Sequence, residues 1–189
     1  ITIIFSNGFA YSIIGAIFGG DPTPTDILTR NLPDIDRPSG YPVVIDGSLD
    51  GSRISLADGS TAHNTLDHFF RISKAGAPQN VTIKNFAFRA LAKVGSAAIT
   101  TDLPGTTVRD SGNIGSITIQ DNYFGTADGS TLVVDNIIYQ PIKLYFVNGS
   151  TPTVTITNNI VYNSLLGIEL GSTNAASPGS VETLNCLGS

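Results

Sequence analysis

Apolar and polar residues alternate along most of this chain, and the alternation repeats. Val81, Ile83 and Phe88 of "VTIKNFAF" match Ile117, Ile119 and Phe124 of "ITIQDNYF" and Val154, Ile156 and Val161 of "VTITNNIV", at spacings of 36 and then 37 residues. A period of two is the signature of a strand, with Thr82, Thr118 and Thr155 on the face opposite the aliphatic residues. Each strand runs into a polar corner, at Asn85, at Asp121-Asn122 and at Asn158-Asn159. Asn and Asp tolerate the left-handed backbone that a sharp bend requires, so these positions predict corners rather than hairpin ends. Phe86 stands where the later units carry Asn122 and Asn159, so a ladder of corner side chains should break there.

A second short apolar strand follows each corner, in "SAAIT" (96–100), "IKLYFV" (142–147) and "LGIEL" (166–170), with "SVETLN" (180–185) as a further partial repeat. The segments 133–146 and 156–170 also align at an offset of 23 residues, which equates Asn136 with Asn159 and Tyr139 with Tyr162. That offset suggests a coil of 23 residues, lengthened by Gly-, Thr-, Asp- and Ser-rich loops at 101–115 and 125–132. "TDILTRNL" (25–32) is the nearest approach to an amphipathic helix, and it stops at Pro33. Strands at a fixed period with few helices predict an all-β fold, here a parallel stack in which each coil buries its apolar face against the next. Asp-Gly pairs beginning at Asp46, Asp50, Asp58 and Asp128 supply hairpin turns, which keeps an antiparallel β-sandwich open as the alternative.

Composition narrows the field. Charged residues make up 13% of the 189, about half the usual share, while 41% are hydrophobic, so the chain can fill one core without being disordered. One domain spans 1–189, with coils and loops over 1–66 and more regular coils over 67–189. A net charge of −5 with ten scattered basic residues excludes a nucleic-acid partner and disfavours an anionic membrane surface. The first twenty residues are apolar but broken by Ser6, Asn7, Gly8, Ser12 and Gly15 and lack a basic leader. They read as buried strand rather than as a membrane-inserted or targeting segment. The chain has no methionine, even at position 1, which suggests a processed chain or a segment of a longer one. Cys186 is the single cysteine and permits no intrachain disulfide.

The stretch "DHFFRISKAGAPQNVTIKNFAF" (67–88) resembles the strand–turn–strand coil of the right-handed parallel β-helix (pectate-lyase-like) superfamily. "ITIIF" (1–5), "ILTRNLPDIDRPSGYPVVIDG" (27–47) and "ITIQDNYFGTADGST" (117–131) are similar to the coils of large bacterial secreted and cell-surface β-helix proteins. The resemblance covers nearly the whole chain, although each motif taken singly is weak. It implies a right-handed solenoid, an extracellular or cell-surface location, and one of three functions. These are a structural or adhesive module, a polysaccharide lyase or glycoside hydrolase acting on an acidic polysaccharide, and a carbohydrate-binding module. Fold alone does not choose among them.

The residues offer few groups for chemistry. Asp46 and Asp50, within "DGSLDGS", are loosely like a calcium loop but lack the closing acid, and double as turn residues. Calcium is the one cofactor to consider. Asp121 and Asp135 precede Asn at corners, where bending explains them. Arg53, Arg71, Arg89 and Arg109 stand alone in sequence, and an outward Arg71 or Arg89 could meet a sugar acid or act as a lyase base. His63 and His68 lie five apart, an odd offset that splits them between two faces of a strand and reads as loop histidines. Tyr139, Tyr145 and Tyr162 offer faces for sugar stacking or for a structural ladder. Asn80 and Asn148 begin glycosylation sequons. With catalytic candidates dispersed, the expectation is a structural or adhesive surface module that self-associates through its coil ends or continues into further coils, with carbohydrate as a second partner.

Overall fold

The computed structural model describes residues 2–4, 25–28, 31–32, 34–35, 42–49, 52–60, 62–72, 79–101, 114–130, 136–146 and 152–172. Fifteen strands fall within them: β1 (Thr2–Ile4), β2 (Thr25–Leu28), β3 (Val43–Asp46), β4 (Ser48–Leu49), β5 (Ser52–Asp58), β6 (His68–Arg71), β7 (Gln79–Lys84), β8 (Phe86–Arg89), β9 (Ala97–Thr100), β10 (Ile114–Gln120), β11 (Tyr123–Phe124), β12 (Ile142–Phe146), β13 (Thr153–Thr157), β14 (Ile160–Val161) and β15 (Glu169–Ser172). The described residues contain no α-helix.

The strands form three sheets. The first has the order β1-β3-β7-β10-β13, the second β2-β5-β8-β11-β14, and the third β6-β9-β12-β15. Every pairing along these orders is parallel. Only β4 pairs antiparallel, as a short offshoot of β5. From β6 onward the chain visits the first, second and third sheets in the same cyclic order, four strands of the third sheet marking four rounds. The all-β, parallel arrangement is compatible with a β-helix, whereas a sandwich of antiparallel hairpins would pair sequential strands with each other.

Like residues lie over like residues. Ile117 pairs with Val81 on one side and with Val154 on the other, and Ile119 sits between Ile83 and Ile156. Parallel neighbours are separated by about 4.8 Å, so each aliphatic side chain touches its counterpart in the next round. Val81, Ile83, Ile117 and Ile119 are fully buried. In the second sheet Leu56, Phe88, Phe124 and Val161 succeed one another in register. The Phe88 and Phe124 rings stack with centroids 5.1 Å apart, while Phe70 meets Phe86 edge-on at 5.2 Å. Such pairs add to the stability given by burial alone.

The 23-residue alignment does not survive. Leu144 pairs with Leu170 and Ile138 bridges Ser164, so neither meets the residue 23 places on. Tyr162 donates its backbone N–H to Phe124 O at 2.9 Å, which places it over the second sheet, while Tyr139 bonds Leu91 O in the connection before β12. Insertions of unequal length separate the strands, so one offset cannot hold for all three sheets.

The corners are built as their residue types suggest. Asn85, Asp121 and Asn158 have φ of 63°, 56° and 55°, in the left-handed region. Immediately after, Asn122 Oδ1 accepts from Phe86 N at 3.0 Å, and its Nδ2 donates to Ile83 O at 3.1 Å. Asn159 repeats the pattern one round later, its Oδ1 accepting from Asn122 N at 3.0 Å and its Nδ2 donating to Ile119 O at 2.8 Å. The side-chain ladder stops at Phe86, whose ring joins the core. Gly47 lies one round earlier, and a Cβ there would come within 2.7 Å of both Asn85 O and the Phe86 ring. Glycine is required at 47 by close approach, since the aromatic ring fills the space that an Asn leaves free.

Asn122→Ala strands a buried N–H and a buried carbonyl, so equilibrium urea unfolding should show a loss of about 2–4 kcal/mol. Asn158→Gly accepts the same left-handed backbone and should stay within about 0.5 kcal/mol of the parent, whereas Asn158→Val should lose about 1–3 kcal/mol.

Candidate functional site

Among the described residues, a group of polar side chains gathers where residues 31–35 run beside β6. Ile35 bridges Ile72 in parallel, which brings residues 31–35 alongside β6. Asn31 Oδ1 accepts from Asp67 N at 2.9 Å and from His68 N at 3.4 Å, and its Nδ2 donates to Asp67 Oδ2 at 3.4 Å. Asp67 also pairs with Lys93 Nζ at 2.6 Å, in the following round. Asp34 receives a two-pronged contact from Arg71, with Nε 2.8 Å from Oδ1 and Nη2 bonded to Oδ2. A planar guanidinium suits this bidentate geometry.

His68 sits within this group. It opens β6 as a buried residue, 4% exposed, and is not a loop histidine. Neither ring nitrogen has a hydrogen-bond partner, and Nε2 stands 3.9 Å from Asp34 Oδ1, outside bonding distance. Burial lowers its pKa from 6.5 to about 4, opposed by the charges of Asp34 and Asp67 and reinforced by Arg71. The imidazole is therefore neutral in the folded protein at ordinary pH. The arrangement can hold a charge pair and a buried neutral base, but among the described residues no three His, Cys, Asp or Glu converge to hold a metal.

The other sequence candidates are distributed over all three sheets. Asp46, at the end of β3, accepts from Ser48 N at 2.9 Å and Asn85 Nδ2 at 2.8 Å, and pairs with Lys84 Nζ at 3.0 Å. Burial acts to raise its pKa, but these donors outweigh it and hold the carboxyl at about 2. Its oxygens serve the corner between rounds. Asp50, Arg109, Asp135, Asn148 and Cys186 lie outside the described residues. Arg89, on β8, is not isolated, since it donates to Ser55 Oγ at 2.5 Å and to Asn136 Oδ1 at 3.3 Å. Burial pushes its guanidinium below the usual value. Arg53 donates to Asp121 O at 3.0 Å and lies 3.9 Å above the Tyr123 ring.

Tyr145 is buried on β12, its hydroxyl bonded to Glu169, which also accepts from Gln140 Nε2 at 3.1 Å. A Cβ at Gly171 would come within 2.7 Å of the Tyr145 ring, so that glycine admits the tyrosine. Tyr139 is partly buried, and Tyr162 is exposed. The three tyrosines share no register and form no continuous platform. Asn80 is exposed, and its Oδ1 accepts from Ser116 Oγ at 2.9 Å. His63 adopts a φ of 51° in a turn, with Nδ1 2.9 Å from Asp58 O.

Sequence reasoning noted Asp67 beside His68 but missed Asn31, Asp34 and Lys93. A signal was available. Asn31 and Asp67 lie 36 residues apart and Asp34 and Arg71 lie 37 apart, the same spacing that separates the repeated strands. Among the described residues no helix is long and apolar enough to cross a membrane. Comparison with protein-family models, curated protein sequences and solved structures finds no match for this chain.

The pKa of His68 fixes a pH dependence. The unfolded imidazole takes up its proton near pH 6.5 and the folded one only near 4, so stability is complete above 6.5 and falls as pH drops towards 4. The loss over that window should reach about 3 kcal/mol. His68→Leu should abolish it and cost little at neutral pH, since no hydrogen bond is removed. Asp46 works in a lower window, contributing fully above 3.8 and losing its contribution as pH falls through about 2. Denaturant titrations at pH 7, 5 and 4 on the parent and His68→Leu measure the first window separately.

Proposed function

We propose that this chain is a right-handed parallel β-helix domain serving as a structural or adhesive module at the cell surface or outside the cell. The observation that carries the reading is where its charged side chains go. Asp34 joins Arg71, Asp46 joins Lys84, and Asp67 joins Lys93, each pair linking one round of strands to the next. Arg89 reaches across rounds to Ser55, and Glu169 bonds Tyr145 in the adjacent strand of the third sheet. Asp58 is buried and spends both oxygens on the backbone N–H groups of Ser60, Thr65 and Leu66. Ionic groups used this way hold the stack in register. A polysaccharide-cleaving site on such a scaffold instead needs acids and a base facing one another across a substrate groove.

The chemistry of Asp46, Arg71 and Arg89 supports the same reading. These weak catalytic candidates stand on the first, third and second sheets respectively, each tied to a neighbouring round. The sparse charge and abundant Ser, Thr and Asn suit an uncharged polar exterior, as expected of a spacer or an adhesive surface. A calcium requirement forms no part of the proposal, because Asp46 is engaged by three protein donors.

Incubation of the protein with uronate polymers and calcium should release no unsaturated sugar, followed by ultraviolet absorbance. Small-angle scattering should give an elongated particle. Turnover that disappears in Arg71→Lys or Arg89→Lys, with folding intact, overturns the structural reading in favour of a lyase.

A further inference from the structure

β6 is held unequally on its two sides. On one side it forms a ladder with β9, His68 opposite Ala97, Phe70 opposite Ile99 and Arg71 opposite Thr100. Ala97 N donating to Asp67 O at 3.0 Å and Ile72 N donating to Thr100 O at 2.8 Å extend that ladder. On the other side the described residues supply no strand, only the short segment that carries Asn31, Leu32, Asp34 and Ile35, joined by the single bridge from Ile35 to Ile72. Among the described residues its polar attachments are the Asn31 amide on Asp67 and His68, the Asp34 carboxylate on Arg71, and Ile35 N donating to Arg71 O at 2.7 Å. These attachments all fall on residues 67–71, around the buried imidazole. Leu32 and Ile35 add apolar contact with the core. A few side-chain bonds and one bridge open locally more readily than a ladder does.

We propose that this segment is an acid-operated latch: a proton on His68 releases Asn31, Asp34 and Ile35 from β6 while the other strands stay paired. The charged groups around the ring come from each element beside it. Asp34 faces it from the segment, Asp67 and Arg71 flank it along β6, and Lys93, ahead of β9, is bound to Asp67. β9 itself is Ala97–Thr100 and has no titratable side chain. Protonation gives the imidazole two N–H donors, yet neither ring nitrogen has a partner to receive one. A buried charge without hydrogen bonds is strongly disfavoured.

Two sources of relief are at hand. Asp34, 3.9 Å from Nε2, reaches the imidazolium only by leaving Arg71, which exchanges one bond for another and still leaves Nδ1 bare. Water satisfies both nitrogens. It enters from the segment's side, where Asp34 is 31% exposed, because the ladder to β9 closes the other, and the segment must shift to admit it. Burial holds the imidazole at about 4 rather than 6.5, so the latch is closed at neutral pH and weakens as pH falls from 6.5 towards 4. A buried imidazole by itself explains lower stability in acid; the latch adds where the structure gives way. The inference uses only contacts around β6 and is independent of the module reading.

Amide hydrogen exchange followed by NMR on the full chain, at pH 7 and pH 5 with low urea added stepwise, tests the latch. Each rate is taken relative to unstructured peptide at the same pH. The reporters are the N–H groups of Ile35, Asp67 and His68, which bond Arg71 O and Asn31 Oδ1, and the β7–β10 ladder is the reference. Protection of the reporters should fall about tenfold or more between pH 7 and pH 5. At pH 5 they should exchange about tenfold or more faster than the ladder and with little dependence on urea, the mark of a local opening. His68→Leu should remove the fall, and so should His68→Gln, which keeps a polar but uncharged side chain. Protection that does not change with pH overturns the latch. A fall of the same size in both variants also overturns it, because the imidazole is then not the trigger. Reporters that share the rate and urea dependence of the ladder overturn it as well, since the whole chain then opens at once.

Discussion

Parallel strand pairing in register is the constraint on which the rest of this structure depends. A hydrogen-bonded ladder fixes the separation of successive rounds at about 4.8 Å, and every side chain must then be compatible with its counterpart above and below. Aliphatic residues meet this condition readily, which explains Val81, Ile117 and Val154 in one column and Leu56, Phe88 and Phe124 in another. Rings meet it by stacking nearly face to face with an offset, as Phe88 and Phe124 do at an interplanar angle of 25°. A charged column cannot meet it without opposite charges alternating, and the chain carries few charges. Low charge content and repetition are thus two consequences of one geometry.

Corners obey the same rule with polar groups. Where the chain bends, backbone N–H and C=O groups turn inward without a ladder to receive them, and burying them unpaired would be costly. An Asn side chain carries both a donor and an acceptor, so Asn122 satisfies Phe86 N and Ile83 O together. Asn159 does the same for the next bend. Below Phe86 the device changes, because the ring takes the volume and Asp46 and Asn85 bond each other instead. Gly47 is then the residue that the ring can tolerate. The bend chemistry therefore changes from hydrogen bonding to packing between adjacent rounds.

Much of this was legible in the sequence, and what was not has a physical cause. Period two and the 36–37 residue spacing identify the first sheet and part of the second, because those strands and their corners recur without insertion between them. The third sheet is harder to place, since loops of unequal length precede β9, β12 and β15, and the 23-residue alignment at Tyr139 and Tyr162 matched residue types rather than positions. Side-chain partners one round apart were hidden for a related reason. Asp34 and Arg71 are unremarkable when read locally and meet only when the spacing is applied to polar residues as it was to apolar ones. His68 was misplaced as a loop residue because its offset of five from His63 is odd for a shared strand face, whereas "HFFR" is a strand buried at its first three positions.

His68 also exposes a limit of the stacking rule. Its two nitrogens are buried without partners although charged neighbours stand close, so the site gives up hydrogen bonding that a leucine would not need. Asp34 does not rescue it, because Arg71 holds that carboxylate in a two-pronged grip and fixes it 3.9 Å from Nε2. The pairing that locks one round to the next thus prevents the histidine from being satisfied. Ladder geometry ranks above local polar satisfaction here, and the imidazole remains neutral because burial and the Arg71 charge disfavour its protonated form more than Asp34 and Asp67 favour it.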